Sequence, residues 1–341
     1  MTFLTIQAPV GNTHHDLHLS NVTSLRGVPK SSYKLRCSTL ASSRLQAPPT
    51  LDTKCKLGWK EDLKTSFTLG PLIGASAFGK VFMGTDKASG NAVAVKTMPK
   101  IRVGLTQSQT QDRIQKEIEV LQVLQSCPGV IKLLDCFEDE RQVQIVTELC
   151  PGGDLQQYVH SKGALQEKQL AAIANEVLKT VKQCHDSGVL HGDVKPGNFC
   201  FKECEFSATS LRAIDFGCSQ YLSNKKKRFT KRTGTPAFMS PEIYAKDYGQ
   251  KADIWSAGVM LYWLFSMRLP FFKSEDAAKA THSLDDMEAA VGGAEISYSF
   301  GPWRRISPEG LDFIMNCLQR CEMDRFGVDE ALSHPWLALN P

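Results

Sequence analysis

The chain has 341 residues, 42% of them apolar, with 40 basic and 36 acidic side chains. That length and apolar share support a sizeable core and exclude disorder throughout. Residues 1–50 hold Arg26, Lys30, Lys34, Arg36 and Arg44 against Asp16 alone, while the other 35 bases and 35 acids cancel, so charge provides no reason to expect nucleic acid or a membrane surface as partner.

The leader, residues 1–50, is rich in hydroxyl residues such as Ser20, Thr23, Ser31, Ser38 and Ser42 and lacks a long apolar run. That composition fits an organelle transit peptide rather than a secretory signal, and Arg36-Cys37-Ser38 resembles the cleavage region of chloroplast transit peptides. The alternative is an uncleaved cytosolic or nuclear tail. Residues 51–66 read as a polar linker with Lys54, Lys56, Lys60 and Lys64.

Phe67–Met98 alternates apolar and polar residues around glycines, which predicts antiparallel strands. Ser108–Gln125 carries Ile114, Ile118, Leu121 and Leu124 at helical spacing, and Val130–Phe137 and Gln142–Leu149 read as two further strands. From Asp154 onward the pattern is mostly helical, over Ala164–His185, Ala252–Met267, Pro308–Cys321 and Val328–Leu337. A small β-rich lobe followed by a larger α-rich lobe predicts an α+β architecture with a cleft between them. The apolar run Trp255–Phe272 is interrupted by Ser256, Ser266 and Arg268 and reads as a buried helix, not a membrane span. Eleven scattered cysteines without a secretory signal imply reduced thiols, and Cys200/Cys204 and Cys317/Cys321 read as packing residues rather than zinc ligands.

Four short motifs carry chemistry. Gly74-Ala75-Ser76-Ala77-Phe78-Gly79-Lys80-Val81 lies between strand-like segments, where glycines let a hairpin approach phosphate oxygens; no helix starts there, which argues against a Rossmann or Walker loop. Lys96, on the strand Val93-Ala94-Val95-Lys96, would hold α- and β-phosphates. In His191-Gly192-Asp193-Val194-Lys195-Pro196-Gly197-Asn198, Asp193 could accept the proton of an attacking hydroxyl, Lys195 could neutralise the transferred phosphoryl group and Asn198 could bind magnesium. Asp215, in Asp215-Phe216-Gly217, supplies a second hard oxygen ligand.

In this order and spacing the motifs resemble the eukaryotic protein kinase family across about Phe67–Leu337. The resemblance implies a bilobal kinase domain over 67–338, with an N-lobe over 67–149 and a C-lobe over 150–338. It implies ATP and Mg2+ as cofactors, with Asn198 and Asp215 as metal ligands. Gly74, Ser76 and Gly79 would cover the phosphates, Val81 and Ala94 the adenine. Lys96 would pair with Glu117, which keeps the family's spacing to Leu121, with Glu119 as the alternative. Thr147 would be the gatekeeper, Glu148–Cys150 the hinge, and Asp154 a contact for ribose or for a basic substrate residue. Thr235, in Thr233-Gly234-Thr235-Pro236, resembles the Ser/Thr-kinase signature and with Lys195 argues against tyrosine specificity. Glu242 would pair with Arg325, and Asp253 would hold the catalytic loop.

The resemblance is greatest to the calcium/calmodulin-dependent and plant calcium-dependent branch, through Glu148–Leu155 and Ser333-His334-Pro335-Trp336. No EF-hand loop follows before Pro341, so direct calcium binding is not expected. Gly192 stands where many kinases carry an arginine that binds a loop phosphate, which argues against activation through Thr230. Trp263 occupies a position acidic in some basophilic kinases, leaving Asp154 as the main sign of a preference for basic substrates. The expected activity is transfer of the ATP γ-phosphoryl group to serine or threonine hydroxyls of proteins; the alternative is a pseudokinase that binds nucleotide and signals by shape.

Overall fold

A computed structural model describes residues 56–75, 78–272 and 283–339. The leader and Ser76 of the glycine loop lie outside the described residues. A short helix, α1 (Leu63–Ser66), leads into β1 (Phe67–Ala75), β2 (Lys80–Asp86) and β3 (Ala92–Pro99), followed by α2 (Gln107–Val123), β4 (Leu133–Glu138) and β5 (Gln142–Glu148). The strands form one antiparallel sheet in the order β1-β2-β3-β5-β4.

Register assigns the two faces of this sheet. Val95 lies opposite Val146, and both are buried with Val93, Phe67, Phe137 and Leu63 in a small separate core. The alternate residues form the other face: Val81 opposite Lys96, and Ala94 opposite Thr147. Those four are only half-buried and line the cleft. Helix α2 starts with a reciprocal cap between Thr106 and Gln109, and it buries Ile114, Glu117, Ile118 and Leu121 along one face.

The C-lobe contains α3 (Leu155–Lys162), α4 (Glu167–Asp186), the short strands β6 (Val189–Leu190), β7 (Phe199–Phe201), β8 (Leu211–Ala213) and β9 (Gln220–Tyr221), then α5 (Pro241–Tyr244), α6 (Lys251–Ser266), α7 (Leu284–Gly293), α8 (Pro308–Cys317), α9 (Val328–Leu332) and α10 (Pro335–Leu339). Helix α6 is buried almost all round, with Trp255, Met260 and Leu264 fully enclosed, as its mostly apolar sequence requires. No helix among the described residues is long and apolar enough to cross a membrane. The expected helix over Val328–Leu337 is two helices. Pro335 cannot donate a helical N–H and disfavours helical geometry at His334, so a new helix starts at the proline.

The linker contributes to the fold before β1 starts. The N–H groups of Leu57, Gly58 and Trp59 donate to the Glu138 carboxylate at 2.9, 2.8 and 2.9 Å, and Lys100 pairs with the same group at 2.6 Å. Lys100 and Glu138 are both buried. Lys60 then forms a parallel bridge to Phe137 on the outer strand β4. Glu138→Ala leaves the Lys100 ammonium buried without this partner, and we expect it to lower stability by about 3–5 kcal/mol. Denaturant midpoints of the two chains measure this; a change below about 1 kcal/mol would show the strap to be dispensable.

Candidate active site

Two clusters of polar side chains face each other across the cleft. In the first, Lys96 Nζ lies 2.6 Å from Glu117 Oε1 and 3.1 Å from Asp215 Oδ1. Glu117 reaches Lys96 because it lies on the buried stripe of α2; Glu119 instead receives a hydrogen bond from Gln115. Burial works against the Lys96 charge, yet the two carboxylates outweigh it and hold its pKa well above the usual lysine value. Burial likewise works against the Asp215 charge, but Lys96 and the Gly217 N–H bring its carboxyl below the ordinary range. The Lys96 ammonium and the Asp215 carboxylate are thus favoured in their charged forms, whereas burial and the neighbouring Asp215 push the Glu117 carboxyl up against the pull of Lys96.

The second cluster lies on the turn after β6. Asp193 Oδ2 accepts from Lys195 Nζ at 2.7 Å and from Asn198 Nδ2 at 3.0 Å, and Oδ1 accepts from the Thr235 N–H at 2.8 Å. Lys195 Nζ also lies 2.6 Å from Thr235 Oγ1. The acid, the base, the amide and the hydroxyl thus orient one another. Beneath them, buried Asp253 on α6 accepts from the backbone N–H groups of His191 and Gly192 at 2.9 Å each, and from His185 Nε2 at 2.9 Å. Burial pushes the Asp253 carboxyl up, but His185 and the backbone donors bring it below the ordinary range. His191 packs at a tilt against Phe216, whose ring centre is 5.0 Å away, and Ser219 donates to the His191 carbonyl. Sequence reasoning missed His185 and Ser219, which bear no local motif.

Asn198 spends its amide N–H groups on Asp193, and neither its Oδ1 nor Asp215 Oδ2 accepts a hydrogen bond among the described residues. Two hard oxygens with free lone pairs suit a magnesium ion. At the hinge after β5, the Cys150 N–H has no partner among the described residues, a donor suited to a ligand's ring nitrogen. The Glu148 side chain turns away, accepting from the Lys132 N–H at 3.0 Å and pairing with Lys202 at 2.8 Å. Asp154 caps α3 through the Gln157 N–H at 2.7 Å, and burial raises its carboxyl. Gly79 is required by proximity, because a Cβ there would lie 2.2 Å from the Thr97 carbonyl oxygen. Gly74 pairs with Val81 in the ladder between β1 and β2.

Gly192 has φ +75°, and a Cβ would lie 2.7 Å from the Cys218 carbonyl oxygen, so the backbone here favours glycine over any side chain. The segment after Asp215 is held by other means. Arg228 pairs with Asp247 and Glu322 at 2.8 and 2.6 Å; Arg232 pairs with Glu288 at 2.8 Å and donates to the Tyr244 carbonyl; and Tyr248 donates to the Lys231 carbonyl at 2.7 Å. Thr230 between them is exposed. Glu242 grips Arg325 in a two-pronged ion pair, one arm at 2.9 Å.

A carboxylate, two cations and two oxygens that accept no hydrogen bond among the described residues converge on this cleft, and residues 67–337 match the family model described as the protein kinase domain. This chain belongs to the protein kinase family. Similar proteins include calcium-dependent protein kinase 25 of Arabidopsis thaliana, 34% identical over 87% of this chain and 54% of its own length. Calcium-dependent protein kinase 7 of Oryza sativa subsp. japonica is 34% identical over 82% of this chain and 49% of its own length. The kinase chain thus spans about half the length of these relatives. Its cysteines near the cleft have thiols that burial pushes up, Cys150 to about 12 and Cys200 and Cys218 also above the usual value, which disfavours the reactive thiolate.

Proposed function

We propose that the protein transfers the γ-phosphoryl group of ATP to serine and threonine hydroxyls of proteins, with magnesium. The observation that carries this reading is the Asp193–Lys195–Thr235–Asn198 constellation, together with the Lys96–Glu117 and Lys96–Asp215 pairs. Asp193 has the position and acceptor oxygens to take the hydroxyl proton. Lys195 places positive charge beside it, where charge develops on the transferred group. Lys96, held by Glu117, orients the nucleotide phosphates, and Asn198 and Asp215 would hold Mg2+, which neutralises phosphate charge when bound.

The Lys195–Thr235 contact at 2.6 Å supports the serine/threonine assignment, because it keeps the ammonium beside the carboxylate that would take the hydroxyl proton. Incubating the full chain with labelled ATP, magnesium and a basic protein, then hydrolysing the product, tests this. Phosphoserine and phosphothreonine are expected, and phosphotyrosine as the main product would refute the specificity. The relatives' names include calcium dependence; for this chain we keep the opposite proposal, catalysis without bound calcium, and plastid residence on the strength of the leader's composition.

A further inference from the structure

Four segments of the C-lobe that are far apart in sequence enclose a cavity of about 420 Å3, separate from the residues of the cleft: the end of α4, the start of α6, the approach to α9 and the stretch Lys225–Arg228. Met323 and Val328 give it apolar lining, and Met323 is 84% exposed. The lysine stretch is pinned at both ends. Ahead of it the Leu222 N–H donates to the Gly188 carbonyl at 2.8 Å, and after it Phe229 and Tyr248 exchange backbone hydrogen bonds at 2.9 and 3.2 Å. Between these anchors the Lys226 N–H donates to Asn224 Oδ1 at 2.9 Å and the Lys227 N–H to the Asn224 carbonyl at 3.1 Å, which makes a defined turn. Three successive lysines are thereby presented together beside the cavity.

Every acid that lines the cavity is already engaged. Asp186 and Asp329 pair with Lys182 at 3.1 and 2.8 Å, Glu322 pairs with Arg228 at 2.6 Å, and Glu330 accepts the Gly327 N–H. Lys225, Lys226 and Lys227 are exposed and have no carboxylate at ion-pair distance among the described residues, whereas Arg228, next in sequence, has two. The hydrogen bond from Lys182, with a smaller pull from Lys225, brings the Asp329 carboxyl below the ordinary range, which sets Lys225 toward the start of α9. The unspent charge is therefore positive, and it adjoins exposed apolar surface. Carboxylates spaced along an extended chain can each meet a lysine while an apolar side chain enters the cavity. The closely spaced charges of a nucleic-acid backbone suit it less, because they would also face the four acids.

We infer that this cavity and the Lys225–Lys227 turn form a docking site for an acidic segment of a partner protein, with carboxylates on either side of an apolar residue. The lysines take the carboxylates, and Met323 and Val328 take the apolar side chain. The inference is independent of phosphoryl transfer, and its test needs no nucleotide.

The full chain is titrated into a short fluorescent peptide of glutamates around one central leucine, with binding read by anisotropy. Saturable binding is expected. Glutamines in place of the glutamates should abolish it, and glycine in place of the leucine should weaken it about 10-fold. The combined variant Lys225→Ala, Lys226→Ala and Lys227→Ala should also bind about 10-fold more weakly, the sum of three exposed charge contacts, with its melting temperature unchanged. The two peptide exchanges read the same contacts on the unaltered chain. No binding by the wild type, indifference to the leucine, or undiminished binding by the combined variant would overturn the site. Polyuridylate RNA or phosphatidylserine vesicles held more tightly than the peptide, and released by the same three substitutions, would overturn the assignment to a protein partner.

Discussion

Asp193→Asn is expected to lower kcat by roughly 10²- to 10⁴-fold, the contribution of a positioned general base, while leaving ATP affinity nearly unchanged. The carboxylate receives three donors: Lys195 Nζ, Asn198 Nδ2 and the Thr235 N–H. An amide keeps the shape but cannot accept at both ends. Its NH2 must face either Thr235 or the Lys195–Asn198 pair, and it has no basic oxygen for the incoming hydroxyl proton. The nucleotide contacts are expected to persist, because Lys96, Glu117 and Asp215 lie on other elements and make no direct bond to Asp193. Single-turnover rates with a saturating peptide, alongside nucleotide titration, separate the two quantities. A variant retaining more than about a tenth of the rate would show that Asp193 is not the base.

Glu242→Ala is expected to be the most destabilising single change in the C-lobe. Arg325 is fully buried, and its guanidinium is held by both Glu242 oxygens, by the Lys251 carbonyl at 3.0 Å and by the Gln319 carbonyl at 2.9 Å. Its carbon also lies 5.1 Å from the centre of the Trp255 ring. Removing the carboxylate strands a buried cation, a loss of about 3–5 kcal/mol. For a domain of this size that corresponds to a fall in melting temperature on the order of 10 °C. Adding Arg325→Met should recover most of the loss, because the uncompensated charge then disappears and an apolar chain of similar reach remains beside Trp255. A single variant that melts within about 2 °C of wild type would show that the pair is replaceable by water or by the carbonyls alone.

Local pattern made much of the fold legible. Alternation over Phe67–Met98 corresponds to β1, β2 and β3, and the three- and four-residue spacing of Ile114, Ile118 and Leu121 corresponds to the buried stripe of α2. The same stripe explains why Glu117 rather than Glu119 meets Lys96: two residues along a helix turn a side chain some 200° away. Asp193, Lys195 and Asn198 were read from one short motif, and the hydrogen bonds of Lys195, Asn198 and the more distant Thr235 converge on Asp193.

What the sequence did not reveal depends on contacts between distant segments. The Glu138 carboxylate is 79 to 81 positions from the three N–H groups it receives, and nothing around Leu57 or Trp59 marks them as part of the sheet's edge. In the basic run from Lys225 to Arg232, Arg228 and Arg232 are tied to acids on three separate segments of the C-lobe, while Lys225 to Lys227 are exposed. Gly192 reads as a lost phosphate partner; its positive φ and the adjacent Cys218 carbonyl show a tight backbone turn that favours glycine. The pseudokinase alternative is not favoured, since the chain belongs to the protein kinase family and keeps Asp193, Lys96, Asn198 and Asp215.

The most direct test is transfer of label from γ-labelled ATP by the full chain, with magnesium, to a protein acceptor, measured against Lys96→Met under the same conditions. The account predicts time-dependent incorporation by the wild type and a loss of at least about 10²-fold in the variant, because Lys96 is the charge that both Glu117 and Asp215 hold in place. No incorporation by a folded, ATP-binding wild type over a range of acceptors would contradict it, and would leave the cleft as a nucleotide-binding scaffold.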